Sequence, residues 1–281
     1  MAAAFAAGVV PPSCQPGSGR VQAPDTVLVV GPDRVLAVLH EAADAVAGVL
    51  GDVDDWGLAG TRPGQHHSDL VADAAAVEVL VSAGLGVVSE ESGMHHVDRE
   101  VTVVLDPLDG STNAFRRLPW YATSLCAVDG DGALAAVVAN QATGGRYEAV
   151  RGGGARRDGD PVHPTGVTAI SDALVAVSGT PTAHLGWSQF RALGAAALDL
   201  CAVAAGQVDA YLDCSVDAHG PWDYLGAMLV CQEAGAVVAD AWGRDLVVLD
   251  HAARRTPVAA ATPALLAALL AARQASEEKS S

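Results

Sequence analysis

The run Val101-Thr102-Val103-Val104-Leu105 leads directly into Asp106-Pro107-Leu108-Asp109-Gly110-Ser111-Thr112-Asn113. The first five residues are apolar or β-branched and stop at a proline turn, the pattern of a buried strand. Two carboxylates then stand three residues apart, with Pro107 fixing φ between them. Both can point to one spot, where their repulsion is costly unless a cation sits between them. Hard oxygen ligands of this kind suit magnesium. Gly110, Ser111, Thr112 and Asn113 are small, and their backbone N–H groups can face an anion if a helix begins here. A cation site beside an anion site is an arrangement for phosphate chemistry. Read alone, Asp-Pro-x-Asp-Gly also fits an acidic turn made of ordinary turn formers. Following a buried strand, the whole string is harder to reach by accident.

The formal charge of −17 argues against non-specific nucleic-acid binding, since phosphates are repelled. It also repels a phosphorylated substrate, so metal ions must compensate locally. Five cysteines, Cys14, Cys126, Cys201, Cys214 and Cys231, show neither CxxC nor Cys-His ligand spacing. They read as reduced thiols of a cytoplasmic protein. No apolar run reaches membrane-spanning length, and the first ten residues lack the basic start of a signal peptide. Neither a membrane nor a nucleic-acid partner is expected.

Residues 1–26 are rich in Ala, Pro, Gly and Ser and are expected to form a disordered extension, with a single domain over 27–272 and a polar tail over 273–281. The domain divides into approximate halves, 27–167 and 168–272. Asp33 is expected to cap a first helix with an apolar stripe of Val35, Leu36, Leu39, Ala42, Ala43, Val46 and Leu50. Ser68 or Asp69 caps a second helix reaching about Ala83. A strand over 86–89 precedes Glu90-Glu91-Ser92, and strands over 122–128 and 133–140 form an antiparallel pair. His95 and His96 read as solvent-facing. Gly152-Gly153-Gly154-Ala155 lacks the Lys-Ser/Thr of a nucleotide loop and reads as a structural turn. Further strands are expected over 146–150, 173–178, 208–212, 237–239, 246–249 and 258–261, and helices over 194–205 and 263–272. Another helix runs from Pro221-Trp222-Asp223 to Gly235, a good C-terminal cap.

Three motifs in order, Glu90-Glu91-Ser92, the Asp106 to Asn113 string and Trp222-Asp223, resemble the signatures of the inositol monophosphatase family of magnesium-dependent, lithium-sensitive phosphatases. The resemblance covers roughly residues 33–272. It implies a layered αβαβα sandwich of the inositol monophosphatase and fructose-1,6-bisphosphatase type, an α/β (α+β) fold with mixed sheets. It also implies two Mg2+ ions, or three, and family members often form homodimers.

Carried over by position, the resemblance gives Glu91, Asp106 and the carbonyl of Leu108 to the first metal, and Asp106, Asp109 and Asp223 to the second. Gly110 and Ser111 hold the phosphate, with Thr112 nearby. Ser111 and an acid of the second helix, Asp73 with Asp69 as runner-up, take the proton of the attacking water. Gly194, Ala196 and Asp213 contact the substrate. Two metals serve the chemistry directly, one acidifying a water and the other stabilising the leaving alkoxide. The expected substrate is a small phosphorylated polyol, most simply inositol monophosphate. Histidinol phosphate is the alternative, its amine meeting Asp213. From another class, a relative of this fold can act as a binding protein through protein contacts.

Overall fold

The computed structural model describes residues 31–278, so the expected extension over 1–26 lies outside the described residues. Helix α1 (Pro32–Gly51) starts with Pro32 in its first turn, where a missing N–H costs nothing. Gly31, not Asp33, is its N-cap; Asp33 sits in the first turn, where its charge complements the helix dipole. The buried stripe contains Val38 in place of the expected Leu36. Helix α2 (His67–Ser82) begins before both expected caps: Asp69 lies inside it and accepts the His66 backbone N–H at 2.8 Å.

Eight strands form the first sheet: β1 (Gly86–Ser89), β2 (Gly93–His95), β3 (Thr102–Asp109), β4 (Ala122–Asp129), β5 (Gly132–Asn140), β6 (Arg146–Val150), β7 (Gly154–Arg157) and β8 (Asp160–Pro161). Their order is β2-β1-β3-β4-β5-β6-β7-β8. Only β1 and β3 run parallel. The turn expected at Pro107 is instead a bulge within β3: Asp106 pairs with Ser124 and Asp109 with Ala122, so β3 carries one extra residue. Pro107, having no N–H to give a ladder, is tolerated at such an irregularity. A five-residue helix α3 (Ser111–Phe115) follows at once.

The second sheet contains β9 (Leu174–Ser178), β10 (Gln189–Arg191), β11 (Ala210–Asp213), β12 (Val237–Asp240) and β13 (Pro257–Ala260), in the order β10-β9-β11-β13-β12. β9 is parallel to β10 and β11, while β13 is antiparallel to both neighbours. Both sheets are therefore mixed. Between them lie α4 (Ala196–Ala204) and α5 (Pro221–Ala234), which touch strands of each. Helices α1 and α2 cover the outer face of the first sheet, and α6 (Pro263–Glu278) covers the second. This is the expected αβαβα succession. α4 is buried along its whole length, and α5 along most of it, which explains their small and aliphatic residues on every side. Val104, Cys126 and Val138 meet Leu200, Leu225 and Met228 in one core; Val175, Leu212 and Val258 meet Leu265 and Leu269 in the other.

Two further expectations fail. Residues 246–249 form no strand: the Leu246 carbonyl accepts the Tyr224 hydroxyl at 2.8 Å, a side-chain bond in place of a ladder. The tail expected from residue 273 is helical to Glu278. Arg273 is buried, donating to the carbonyls of Asp213 (3.1 Å) and Ser215 (2.6 Å) and stacking over Trp242. Anchored in this way, a polar helix end stays packed. Among the described residues, no helix is long and apolar enough to cross a membrane.

Candidate active site

The parallel pairing of β1 with β3 brings the ends of both strands side by side, and the N–H of Glu90 extends that pairing to the carbonyl of Leu105 at 3.1 Å. The first turn of α5 approaches the same point, because Ser124 on β4 donates to the Trp222 carbonyl at 3.1 Å. One carboxylate oxygen from each of Glu90, Asp106 and Asp223 then lies within 4.8 Å of the others, a three-acid cluster formed by the residue just beyond β1 and by residues of β3 and α5. Glu90, not Glu91, supplies the glutamate.

Asp106 is 2 % exposed, and its Oδ1 accepts the Leu108 N–H at 2.9 Å. Asp223 Oδ2 accepts the Gly220 N–H at 2.7 Å, which restrains this carboxylate at the start of α5. Asp109 is also buried, but its Oδ2 turns to the backbone N–H of Ala197 at 2.7 Å, near the start of α4. It stands close enough to act on the cluster through its charge.

The electrostatics are those of crowded anions. Burial first, then the charges of Asp223, Glu91, Asp109 and Asp69, push Glu90 up to about 9. Burial, reinforced by Glu90, Asp109 and Asp223, holds Asp106 well above the usual carboxylate range against the opposing Leu108 N–H. Asp109 is raised by burial and by Asp223, with the Ala197 N–H opposing. Such a set is destabilised by its own charge unless a cation joins it. Three convergent oxygen donors with no thiolate or imidazole among them fit a hard divalent ion.

Beside the cluster is a cavity of 430 Å³ whose wall includes Arg62, Gln65, Asp69, Glu91, Leu108 and Ser111. Asp69, not Asp73, reaches this wall, and burial pushes its carboxyl up to about 6 despite the His66 N–H. Asp73 accepts the hydroxyl of buried Ser89 instead. Glu91 is engaged by Arg62 and Gln65, and Arg62 also donates to the Glu90 and Glu91 carbonyls at 3.3 Å. This acid therefore fastens the loop before α2 to the strand end.

Gly110 precedes α3 with φ 84°, a left-handed conformation that disfavours a side chain. A Cβ there would also meet the Ala195 side chain at 3.0 Å and the Trp120 and Gly194 carbonyls at 3.1 and 3.2 Å. Asn113 Nδ2 locks the same junction, donating to the carbonyls of Trp120 and Leu193, each at 2.8 Å. Gly194 is thus brought against Gly110 and Asn113 at the start of α3, and Ala196 opens α4 two residues later.

Asp213 lies elsewhere than expected. It is fully buried, so neither a polyol hydroxyl nor an amine reaches it, and its Oδ2 has no hydrogen-bond partner. His219 stands between it and the cluster, with Nε2 3.6 Å from Asp213 and Nδ1 3.4 Å from Asp223. Burial lowers the His219 pKa, but the hydrogen bond and charge of Asp223, with the charges of Asp213 and Asp109, outweigh it and raise it to about 9. The sequence reading gave Glu90 no ligand role and ranked Asp69 behind Asp73, and it missed Arg62 and His219. For Glu90 a signal existed: it is the first residue beyond a strand whose neighbour carries Asp106.

The described cysteines are free, and burial pushes Cys126 and Cys231 up to about 12 and Cys214 up to about 11, leaving no reactive thiolate.

The sequence matches the model of the inositol monophosphatase family over residues 65–278. It is 32 % identical over 216 residues to a fructose-1,6-bisphosphatase/inositol-1-monophosphatase of Methanothermobacter thermautotrophicus, covering 69 % of this chain and 77 % of that one. It is 34 % identical over 174 residues to the Nus factor SuhB of Salmonella typhimurium, covering 56 % of this chain and 63 % of that protein. Its fold matches the solved structure of a Pyrococcus horikoshii protein with similarities to inositol-1 monophosphatase, with a TM-score of 0.74 and 24 % identity over 85 % of this chain and 96 % of the other. With ordered motifs, layered fold and family match in agreement, the chain belongs to the inositol monophosphatase family.

Proposed function

We propose that the chain hydrolyses a small phosphate monoester in a magnesium-dependent reaction, with a phosphorylated polyol such as inositol monophosphate as the simplest substrate. The observation that carries this reading is the convergence of Glu90, Asp106 and Asp223, with Glu90 and Asp106 raised by burial and by the neighbouring charges, beside a cavity whose wall includes Ser111. Glu90, Asp106 and Asp223 would hold the metal, with Asp109 and the Leu108 carbonyl beside them. Bound there, divalent cations neutralise phosphoryl oxygens, acidify water and stabilise a leaving alkoxide.

The protein's own groups then have distinct tasks. The backbone N–H groups at the start of α3 are without intrahelical partners and suit phosphoryl oxygens, with Gly110 allowing their close approach. Asp69, held near 6 by burial, is matched to accept a proton from the attacking water close to neutral pH, with the Ser111 hydroxyl beside it on the cavity wall. The water oxygen bonds to phosphorus as the ester oxygen leaves, so no phosphoenzyme forms. Arg62 is the cation on the cavity wall and offsets part of the acidic field that an incoming phosphate meets.

Phosphate release from inositol 1-phosphate, histidinol phosphate, fructose 1,6-bisphosphate and phosphoadenosine phosphate, with magnesium, with chelator and with Asp106→Asn, tests the proposal. Magnesium-dependent turnover that disappears in the variant supports it, and the preferred ester names the substrate. No turnover from folded protein across the panel would overturn it in favour of a role through protein contacts, the class suggested by the name of the SuhB relative.

A further inference from the structure

Asp213 presents an unusual combination. It is completely buried at the end of β11, and although Oδ1 accepts the Ser215 N–H at 2.8 Å, Oδ2 has no hydrogen bond. A buried carboxylate oxygen without a partner is expensive, so something else must orient or compensate it. His219 faces it, with Nε2 3.6 Å from Oδ2. The same nitrogen is 3.1 Å from the Tyr211 hydroxyl and 3.3 Å from the Ser178 hydroxyl, and the ring meets Tyr211 edge-to-face. The other nitrogen, Nδ1, is 3.4 Å from Asp223 Oδ2, the oxygen that also accepts the Gly220 N–H. The imidazole is therefore fixed on one side by β11 and β9 and bears on the acid of α5 with the other.

We propose that His219 is a positioning residue that transmits the buried Asp213 carboxylate to Asp223, and that Asp213 acts on the metal site through it and not on the substrate. The inference rests on the reading of Asp223 as a metal ligand. Oδ2 of Asp223 is engaged by an imidazole and a backbone N–H, which restrains the orientation of the carboxylate. A ligand held this way loses little conformational freedom when a cation arrives, which is how outer hydrogen bonds strengthen metal sites. Asp213, sealed behind the ring, in turn holds the ring in place. Gln preserves one hydrogen-bonding group at roughly the reach of an imidazole nitrogen, and Ala preserves none, so the two substitutions at His219 form a graded pair.

Mn2+ binding to the full-length protein, followed by the paramagnetic resonance signal of the free ion, reads this without requiring turnover. Relative to the unmutated chain, His219→Ala is expected to weaken Mn2+ roughly 10–100-fold, with His219→Gln and Asp213→Asn weaker in the same direction by a smaller factor. With metal saturating, the KM for inositol 1-phosphate stays within about twofold while the metal concentration for half-maximal activity rises. Thermal melts in chelator establish that each variant is folded. Should His219→Ala fail to fold, His219→Gln and Asp213→Asn carry the measurement. Mn2+ affinities indistinguishable from the unmutated chain in the folded variants overturn the proposal while leaving the metal site intact, as does a raised KM for inositol 1-phosphate with unchanged Mn2+ affinity. If the unmutated chain itself binds no Mn2+, the metal-site reading falls and this inference falls with it.

Discussion

Asp109 Oδ2 accepts the backbone N–H of Ala197 at 2.7 Å, joining the bulged end of β3 to the start of α4 across 88 residues of sequence. Both residues are buried, and the bond uses an N–H that the first turn of a helix cannot satisfy internally. It turns one oxygen of Asp109 away from the cluster of Glu90, Asp106 and Asp223 while keeping its charge nearby. The site is therefore held together by the same contact that joins its two halves.

Asp106→Asn should abolish phosphate release while stabilising the metal-free protein. The substitution keeps an oxygen for the Leu108 N–H but removes one of several buried like charges. Relief of about 1 kcal/mol corresponds to a rise in Tm of roughly 2–4 °C in chelator for a chain of this size. Melting curves with and without magnesium check this: the variant should gain in chelator and lose most of the magnesium-induced increase.

Glu90→Gln and Glu91→Gln should differ in kind. Glu90 belongs to the three-acid cluster, so its loss should weaken Mn2+ binding at least tenfold. Glu91 accepts Arg62 and Gln65, so its loss should release the loop before α2 and leave Mn2+ affinity within a few-fold. Limited proteolysis near Arg62 and titration with Mn2+ separate the two outcomes.

The second-helix acids should separate similarly. Asp69→Asn should lower kcat by about 10²-fold or more at saturating metal, the usual range for a lost proton acceptor. Asp73→Asn, which alters the bond from Ser89, should mainly lower stability. The reverse result would return the proton-accepting role to Asp73.

Metal-free stability should fall as pH rises. The folded protein holds Glu90 near 9 and Asp69 near 6, and it raises Asp106 and Asp109 well above the usual carboxylate range. These groups bind protons more readily folded than unfolded, so their contribution is complete below the unfolded carboxylate pKa of about 4 and is lost as pH climbs through 6 toward 9. Thermal melts in chelator between about pH 6 and 9 should show a decreasing Tm, and added magnesium should raise Tm more at the alkaline end. A Tm in chelator that increases with pH would contradict this.

Gly110→Ala should destabilise regardless of metal. The positive φ and the 3.0–3.2 Å approach of Ala195, Trp120 and Gly194 leave no room for a methyl group. A cost of about 2 kcal/mol, or roughly 4–8 °C in Tm, is expected. Melting in chelator measures it directly.

Local chemistry was legible in the sequence wherever neighbours along the chain decided it. The β-branched run ending at Asp106, the hairpin at β4 and β5, and the helix from Pro221 to Gly235 follow from periodicity, turn residues and caps. So does the concentration of acids and small residues between Asp106 and Asn113. Tertiary structure alone decided which acids meet. Whether Glu90 or Glu91 joins Asp106 depends on the β1–β3 register, because adjacent residues at a strand end point in different directions. Asp69 and Asp73 lie one helical turn apart on one face, and only the position of α2 along the first sheet determines which reaches the cavity. Asp213 changed from a substrate contact to a buried acid because His219, six residues later, folds back over it. Sequence sets what each residue can do chemically; the charge each meets, and whether water reaches it, are set by segments distant in the chain.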